Sequence, residues 1–348
     1  AQSAPAGLSP FLRVVSQSAL AAAYAMAGQD QKATARIAPL LEEIEELDET
    51  LAARVYHQAA YIAMRGTRYA EAIRCASRSV ELAERIGAYE TAAGALSILH
   101  NVALVQDENF SNATEFLRRI GEFGAKLGSV DKQLFALANA FEIEVERGDE
   151  KAATALEEEL RAFDVRYDTR QASEAVLPAQ VLQLAWRGDF ARAYRILKPT
   201  GDQQLDPGRR ALRWAEIALY AAAAGVRGDA AAAMQKCQQE LKRAGATEGH
   251  TWRARAYLAL SAMLLGQEDA ARAALASIGA EMAGAPERMR RLVDFVAHLA
   301  MHRIGSFDPQ TILSKLEGLY DRGLGGFARM FEALPIDLIT SPCLLYTS

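Results

Sequence analysis

With 348 residues, 51% of them hydrophobic and 24% charged, the chain has enough material for an extensive buried interior. A net charge of −5 gives no reason to expect non-specific nucleic-acid binding. The three cysteines, Cys75, Cys237 and Cys343, are far apart and never in CxxC spacing, which argues against a disulfide framework or a cysteine zinc site and fits a reducing cytosol.

Residues 1–7 carry no initiator methionine, basic segment or apolar run, and read as the disordered start of a fragment rather than a signal peptide. From residue 8 to 333 a turn residue recurs: Gly28, Gly66, Asp107, Gly148, Gly188, Gly228, Gly266 and Gly305. The gaps are 38, 41, 41, 40, 40, 38 and 39, a rhythm of stacked helical hairpins. In the unit around Gly66, apolar or small residues at Leu51, Val55, Ala59, Ile62 and Ala63 mark one helical face. Gly66-Thr67-Arg68 breaks that helix, and Tyr69 opens a second that runs to about Ile86 and ends at Gly87. Phe110 and Ala113 repeat the pattern after Asp107, as do Phe190 and Ala193 after Gly188. Gly148-Asp149 and Gly228-Asp229 keep the turn without the aromatic. Arg166 to Arg170 and Pro178 interrupt the pattern, predicting a local kink, and residues 198–208 read as a loop. Trp214 and Trp252 each precede their turn glycine by 14 residues and so share one slot of neighbouring units. The longest uncharged apolar stretch, residues 217–226, is about half a membrane span, so no membrane association is expected. A second series of glycines, Gly87, Gly128, Gly201, Gly245, Gly284 and Gly323, closes the second helices. Residues 334–348 fall outside the repeat, and their end reads as non-native adaptor-like sequence.

No catalytic set emerges. His298 and His302 share a helix face, but the chain offers them no glutamate at the second position and no evident third ligand, so they read as packing histidines and no metal is expected. Glu142, Glu144 and Glu146, the runs at residues 42–46 and 157–159, and the basic group Arg288, Arg290 and Arg291 read as solvated helix faces. There is no Walker A pattern and no G-x-S-x-G elbow. Gly323-Leu324-Gly325-Gly326 follows no strand and is not a dinucleotide loop. Neither an enzyme nor a cofactor is expected.

The pattern G-x-x-aromatic-x-x-A resembles the turn inside a tetratricopeptide repeat. That resemblance implies an all-α, right-handed superhelical solenoid of about eight helical hairpins, with a period longer than the usual 34 residues. In such arrays the first helix of each hairpin lines the concave wall. Alignment to the register of Tyr69 and Ala72 then places Arg54, His57, Tyr61, Arg65, Asn101 and Glu142 on that wall as candidate ligand- or partner-binding residues. The array, together with the closing segment Leu316 to Pro335 and its Gly325-Gly326-Phe327-Ala328-Arg329 and Ala333-Leu334-Pro335, resembles the MalT-like repeat region of LuxR-type transcriptional regulators. In that family such a segment leads into a C-terminal helix-turn-helix. The resemblance implies a truncated sensor and assembly region, with protein or small-molecule effectors in the groove, possible self-association, and DNA contact only through the missing domain. The other expectation is a stand-alone scaffold that holds peptides of partner proteins.

Overall fold

The computed structural model describes residues 10–27, 29–104, 110–168, 171–202, 207–243, 249–278, 287–303 and 309–335. Every regular element among them is helical. The expected turns at Gly28, Asp107 and Gly305, the breaks at Gly245 and Gly284, residues 1–7 and the tail from 336 lie outside the described residues. The chain divides into two compact units, one of residues 1–140 and 158–172, the other of residues 141–157 and 173–348.

The first unit holds α1 (Pro10–Met26), α2 (Asp30–Glu42), a 3-10 turn (Ile44–Glu46), α3 (Glu49–Arg65), α4 (Tyr69–Arg85), α5 (Tyr89–Val102) and α6 (Phe110–Leu127). It also takes part of α7 (Val130–Arg147) and of α8 (Glu150–Tyr167). Consecutive helices from α3 to α6 pack against each other, and α3 also touches both α1 and α5, so alternate helices form a layer. On α4 the buried residues Ala72, Cys75, Ala76, Ser79, Val80 and Ala83 follow steps of three and four, the signature of a helix with one covered face. The Ser79 hydroxyl donates to the Ala53 carbonyl at 2.8 Å and satisfies the one polar group on that face.

The second unit holds the end of α7, the start of α8, and α10 (Leu177–Trp186), with the short α9 (Gln171–Ala175) across the boundary. It continues through α11 (Phe190–Leu197), α12 (Pro207–Ala223), α13 (Arg227–Arg243), α14 (Gly249–Leu264), α15 (Glu268–Ala276), α16 (Glu287–Arg303), α17 (Pro309–Asp321) and α18 (Gly325–Ala333). The α14 helix touches both α12 and α16, which makes these three the inner layer of this unit, while α13 pairs with α12 and α15 with α14. Nearly every turn of α12 is buried on both sides, from Ala211 to Ala222. A helix buried all round needs a neighbour on each face. On α12 those neighbours are the paired helices and α18, whose Met330 meets Tyr220.

One turn closes most hairpins. A residue one or two positions past the helix takes positive φ, and the next N–H reaches five residues back: Arg68 to Ala63 at 2.8 Å, Asp149 to Glu144 at 3.0 Å, Asp189 to Leu184 at 3.0 Å, Val226 to Ala221 at 2.8 Å, and Gln267 to Ala262 at 2.8 Å. Five residues after each positive-φ residue stands an alanine of 0% exposure: Ala72, Ala153, Ala193, Ala230 and Ala271. The missing side chain beyond Cβ is what lets the second helix approach the first. Asp149 and Asp189 also cap their helices, accepting from the N–H groups of Ala152 and Arg192.

This geometry corrects the sequence register at two places. The left-handed residue of the α3–α4 turn is Thr67 at φ 58°, with Gly66 on the right-handed side at φ −83°. The α12–α13 turn pivots on Gly225 at φ 76°, and Gly228 sits in the first turn of α13. Trp214 and Trp252 are both buried, but they do not share one slot: they stand 11 and 14 residues before their pivots at Gly225 and Gly266. The interruption near residues 166–178 is present as a positive-φ Asp168, the short α9, and Pro178 in the first turn of α10. Residues 198–202 are helical or turn rather than open loop, and residues 207–208 begin α12.

Candidate functional site

The α18 helix is seated on the inner layer of the second unit. It is entered by a tight turn in which Gly323 takes φ 67° and the Leu324 N–H donates to Leu319 O at 2.9 Å. It ends at Leu334, whose extended backbone is what a following proline favours. Gly325, Gly326, Phe327, Ala328, Met330 and Phe331 are all buried. The Tyr320 hydroxyl donates to Glu332 at 2.8 Å and ties α17 to α18.

The residues of α18 meet five different helices. Gly325 and Gly326 press on the last turn of α7, where a side chain on either would run into the Arg147 or Val145 carbonyl oxygen. A Cβ on Gly148 would in turn stand 2.9 Å from the Gly325 carbonyl carbon. Three glycines thus allow two backbones to touch. A Cβ on Gly326 would also lie 2.9 Å from Trp186 Nε1 on α10. The Tyr220 hydroxyl on α12 donates to Met330 Sδ at 3.7 Å. The Arg253 guanidinium on α14 lies 5.9 Å from the Phe327 ring centre, and Phe295 on α16 packs 4.9 Å from Phe331. Arg329 lies 5.7 Å from the Trp186 ring and 3.8 Å from Glu150.

Beneath α18 lies a cavity of about 30 Å³ lined by Glu142, Glu146, Glu216, Tyr220, Arg253, Tyr257 and Phe327 among others. Glu216 sits between Arg213 at 3.6 Å and Arg253 at 3.5 Å, and Glu146 pairs with Arg288. Glu142 is exposed. The protein crowded around it and the neighbouring Glu146 charge push its carboxyl up to about 7, against the pull of Arg253 and Arg288. Burial raises Glu216 as well, with Arg253 and Arg213 opposing, and it raises the Tyr220 and Tyr257 hydroxyls. Arg253 Nε and Trp186 Nε1 are buried donors without a hydrogen-bond partner.

Two expectations are corrected here. Glu144 and Glu146 are not a solvated face: Glu144 is 9% exposed and bonds Arg147 at 3.1 Å, and the Glu146 side chain is 16% exposed. Arg288 points inward to Glu146, whereas Arg290 and Arg291 do lie at the surface paired with Glu287. Spacing of two residues suggested divergent directions for the glutamates. It could not show that a far segment, starting 142 residues on with Arg288, supplies a partner.

Of the remaining candidates, Arg54, His57, Tyr61 and Arg65 lie on α3 and Asn101 on α5, all in the first unit. Arg54 and Arg65 are exposed, and His57 and Tyr61 are half-buried. The His57 ring occupies the space that Gly94 leaves on α5, 2.8 Å from where a Cβ would stand. Asn101 is exposed and donates to Ser97 O at 2.8 Å. Glu142 alone lines the cavity under α18. The histidine His298 bonds the Asp294 carbonyl through Nδ1 at 2.7 Å.

Burial shifts histidines in the first unit and carboxyls in the second, and the two kinds of group act on stability with opposite dependence on pH. Burial lowers the pKa of His57, with Lys132 adding to it, and of His100. Their contribution is full above about pH 6.5 and lost as pH falls. The raised Glu142 contributes most below about pH 4.5 and loses that contribution as pH rises through about 7, and the raised Glu216 acts in the same direction. The groups facing them are Glu146, Arg213, Tyr220, Arg253, Tyr257 and Arg288. Hydrogen exchange corrected for intrinsic rate is expected to show α14 better protected at pH 5.5 than at 7.5, and α5 the reverse. Protection that moves the same way in both helices contradicts this assignment.

The fold and site define an all-α, helical-repeat-like chain that covers part of its own inner layer with its last described helix. Neither a known family model nor a curated protein matches it. Among the described residues no helix is long and apolar enough to cross a membrane.

Proposed function

We propose that this chain is the effector-sensing and protein-interaction repeat region of a bacterial LuxR-type transcriptional regulator, working in the cytoplasm. An inducer or partner protein binds the inner helix layer, and the event passes to a DNA-binding domain that follows the chain. The observation that carries this reading is the seat of α18. Its Gly325 to Arg329 are the residues that resemble the junction to a helix-turn-helix, and they rest directly on α7, α10 and α14. A small rotation between neighbouring inner helices therefore moves the junction, which is how a stacked array transmits binding. The buried free thiols of Cys75 and Cys237 accord with a reducing compartment.

The scaffold reading is favoured by one feature, a layer that already holds a short helix much as it would hold a partner's peptide. The uninterrupted coding sequence beyond Pro335 separates the two. A helix-turn-helix there is the expected result for a regulator, and a stop codon or an unrelated module leaves the scaffold.

A further inference from the structure

The α1 helix carries two seams. Val14, Ser18, Ala21 and Ala25 are buried at steps of four, three and four, on the side where the helix meets α2 and α3. On the opposite side Leu12, Ser16, Ala19, Ala23 and Met26 follow steps of four, three, four and three, flanked by Leu20, and all six are exposed. Leu12 is 50% exposed and Met26 64%, so this second seam is open. Its spacing is the narrow stripe by which one helix packs along another. The stripe carries no charge. Arg13 is the one ionic residue of α1, and it turns aside to Glu43 at 2.6 Å. The end of a stacked array shows water a polar face, as the adjoining α2 does with Asp30, Lys32 and Glu42. The α3 helix packs between α1 and α5, whereas the outward stripe of α1 is left uncovered among the described residues.

The stripe itself describes what fits it. Ser16, Ala19 and Ala23 have so little side chain that only an equally slender helix comes close enough to cover them. The α1 helix of a second copy is such a helix. Set antiparallel about a twofold axis between Ser16 and Ala19, it brings Leu12 of each copy over Ala23 of the other, and Ser16 over Ala19. Large then meets small at the ends, and small meets small at the axis. With no charge on the stripe, no like-charge repulsion opposes the pairing of copies.

We propose that the outward stripe of α1 is a homodimer contact, through which two copies of this chain pair α1 against α1 in antiparallel fashion. The 17 residues of the helix give a contact about 25 Å long. That is less than a standard interface supplies, so the dimer is weak, with a dissociation constant on the order of 10–100 µM. The contact goes beyond the sensing role and holds whether or not a DNA-binding domain follows the chain.

The test is sedimentation velocity of the full chain from about 1 to 500 µM, a range that brackets this affinity. The native chain is expected to pass from monomer to dimer. Ala19→Glu and Ala19→Lys each set two like charges beside the axis and are expected to weaken the dimer at least about tenfold. Ala19 is exposed in the single chain, so helicity and thermal midpoint at low concentration are expected to stay those of the native protein. An equimolar mixture of the two variants is expected to recover the dimer, because opposite charges then meet at the axis. A native chain that stays monomeric throughout would leave the stripe to a helix of another polypeptide and overturn the proposal. So would a dimer untouched by either charge, or a mixture that dimerises no better than its components.

Discussion

Replacing Gly326 with alanine is expected to destabilise the second unit by about 2–4 kcal/mol and to raise hydrogen exchange throughout α18. In an exposed helix the same change stabilises by up to about 1 kcal/mol, because alanine loses less conformational freedom than glycine. Here the added Cβ would overlap the Val145 carbonyl oxygen and would stand 2.9–3.0 Å from the Trp186 indole. The first is main chain within a helix and the second is a buried ring, so neither gives way cheaply. The helix must tilt outward, and Phe327, Met330 and Phe331 lose contact together. Gly318→Ala on α17 is the control, since nothing lies within 4 Å of its Cβ position. It is expected to be neutral or slightly stabilising in the same denaturation experiment. Equal behaviour of the two variants would mean that α18 does not press on α7.

Arg253→Ala is expected to cost about 2–4 kcal/mol, discounted from a fully buried pair because the side chain keeps 21% of its exposure. The loss comes less from the attraction to Glu216 at 3.5 Å than from what remains afterwards. Glu216 would keep only Arg213 at 3.6 Å as a cationic neighbour, under a helix that admits little water. Combining Arg253→Met with Glu216→Gln removes both charges and preserves most of the volume, and is expected to recover most of the stability. Urea denaturation of the single and combined variants reads this directly. A combined variant no more stable than Arg253→Ala would show that the charges are not the cause.

The repeat was legible because its physics is local. A helix end that needs positive φ draws glycine, and a close helix crossing draws alanine, so Gly148, Gly188 and Gly266 announce their turns. The register slipped at Gly228 because Gly225 lies three residues earlier, and what distinguishes them is folded geometry: the positive φ of Gly225 and the hydrogen bond from Val226 to Ala221. It slipped at Gly66 because Thr67, a residue that resists positive φ, takes that conformation beside it. The site was much less legible. Of the candidate wall residues only Glu142 lines the cavity, because the others were placed by hairpin register and register says nothing about what covers a helix face. The one signal for the α18 seat was Gly325-Gly326, two adjacent glycines in a segment otherwise suited to helix. Small residues at such a point imply a close backbone neighbour. Which neighbour depends on Gly148, more than 170 positions earlier in the chain.

The most direct measurement is treatment of the Phe295→Cys, Phe331→Cys protein, in a background whose native cysteines are alanine, with a short bifunctional thiol reagent at low protein concentration, followed by electrophoresis and mass mapping. The two rings lie 4.9 Å apart, so a helix seated on α16 holds the introduced thiols near one another, within the span of such a reagent. The expected result is rapid and near-complete formation of an intramolecular cross-link in the monomer. Thiols that are only singly modified, or a link formed only between molecules, would place α18 elsewhere and contradict the account.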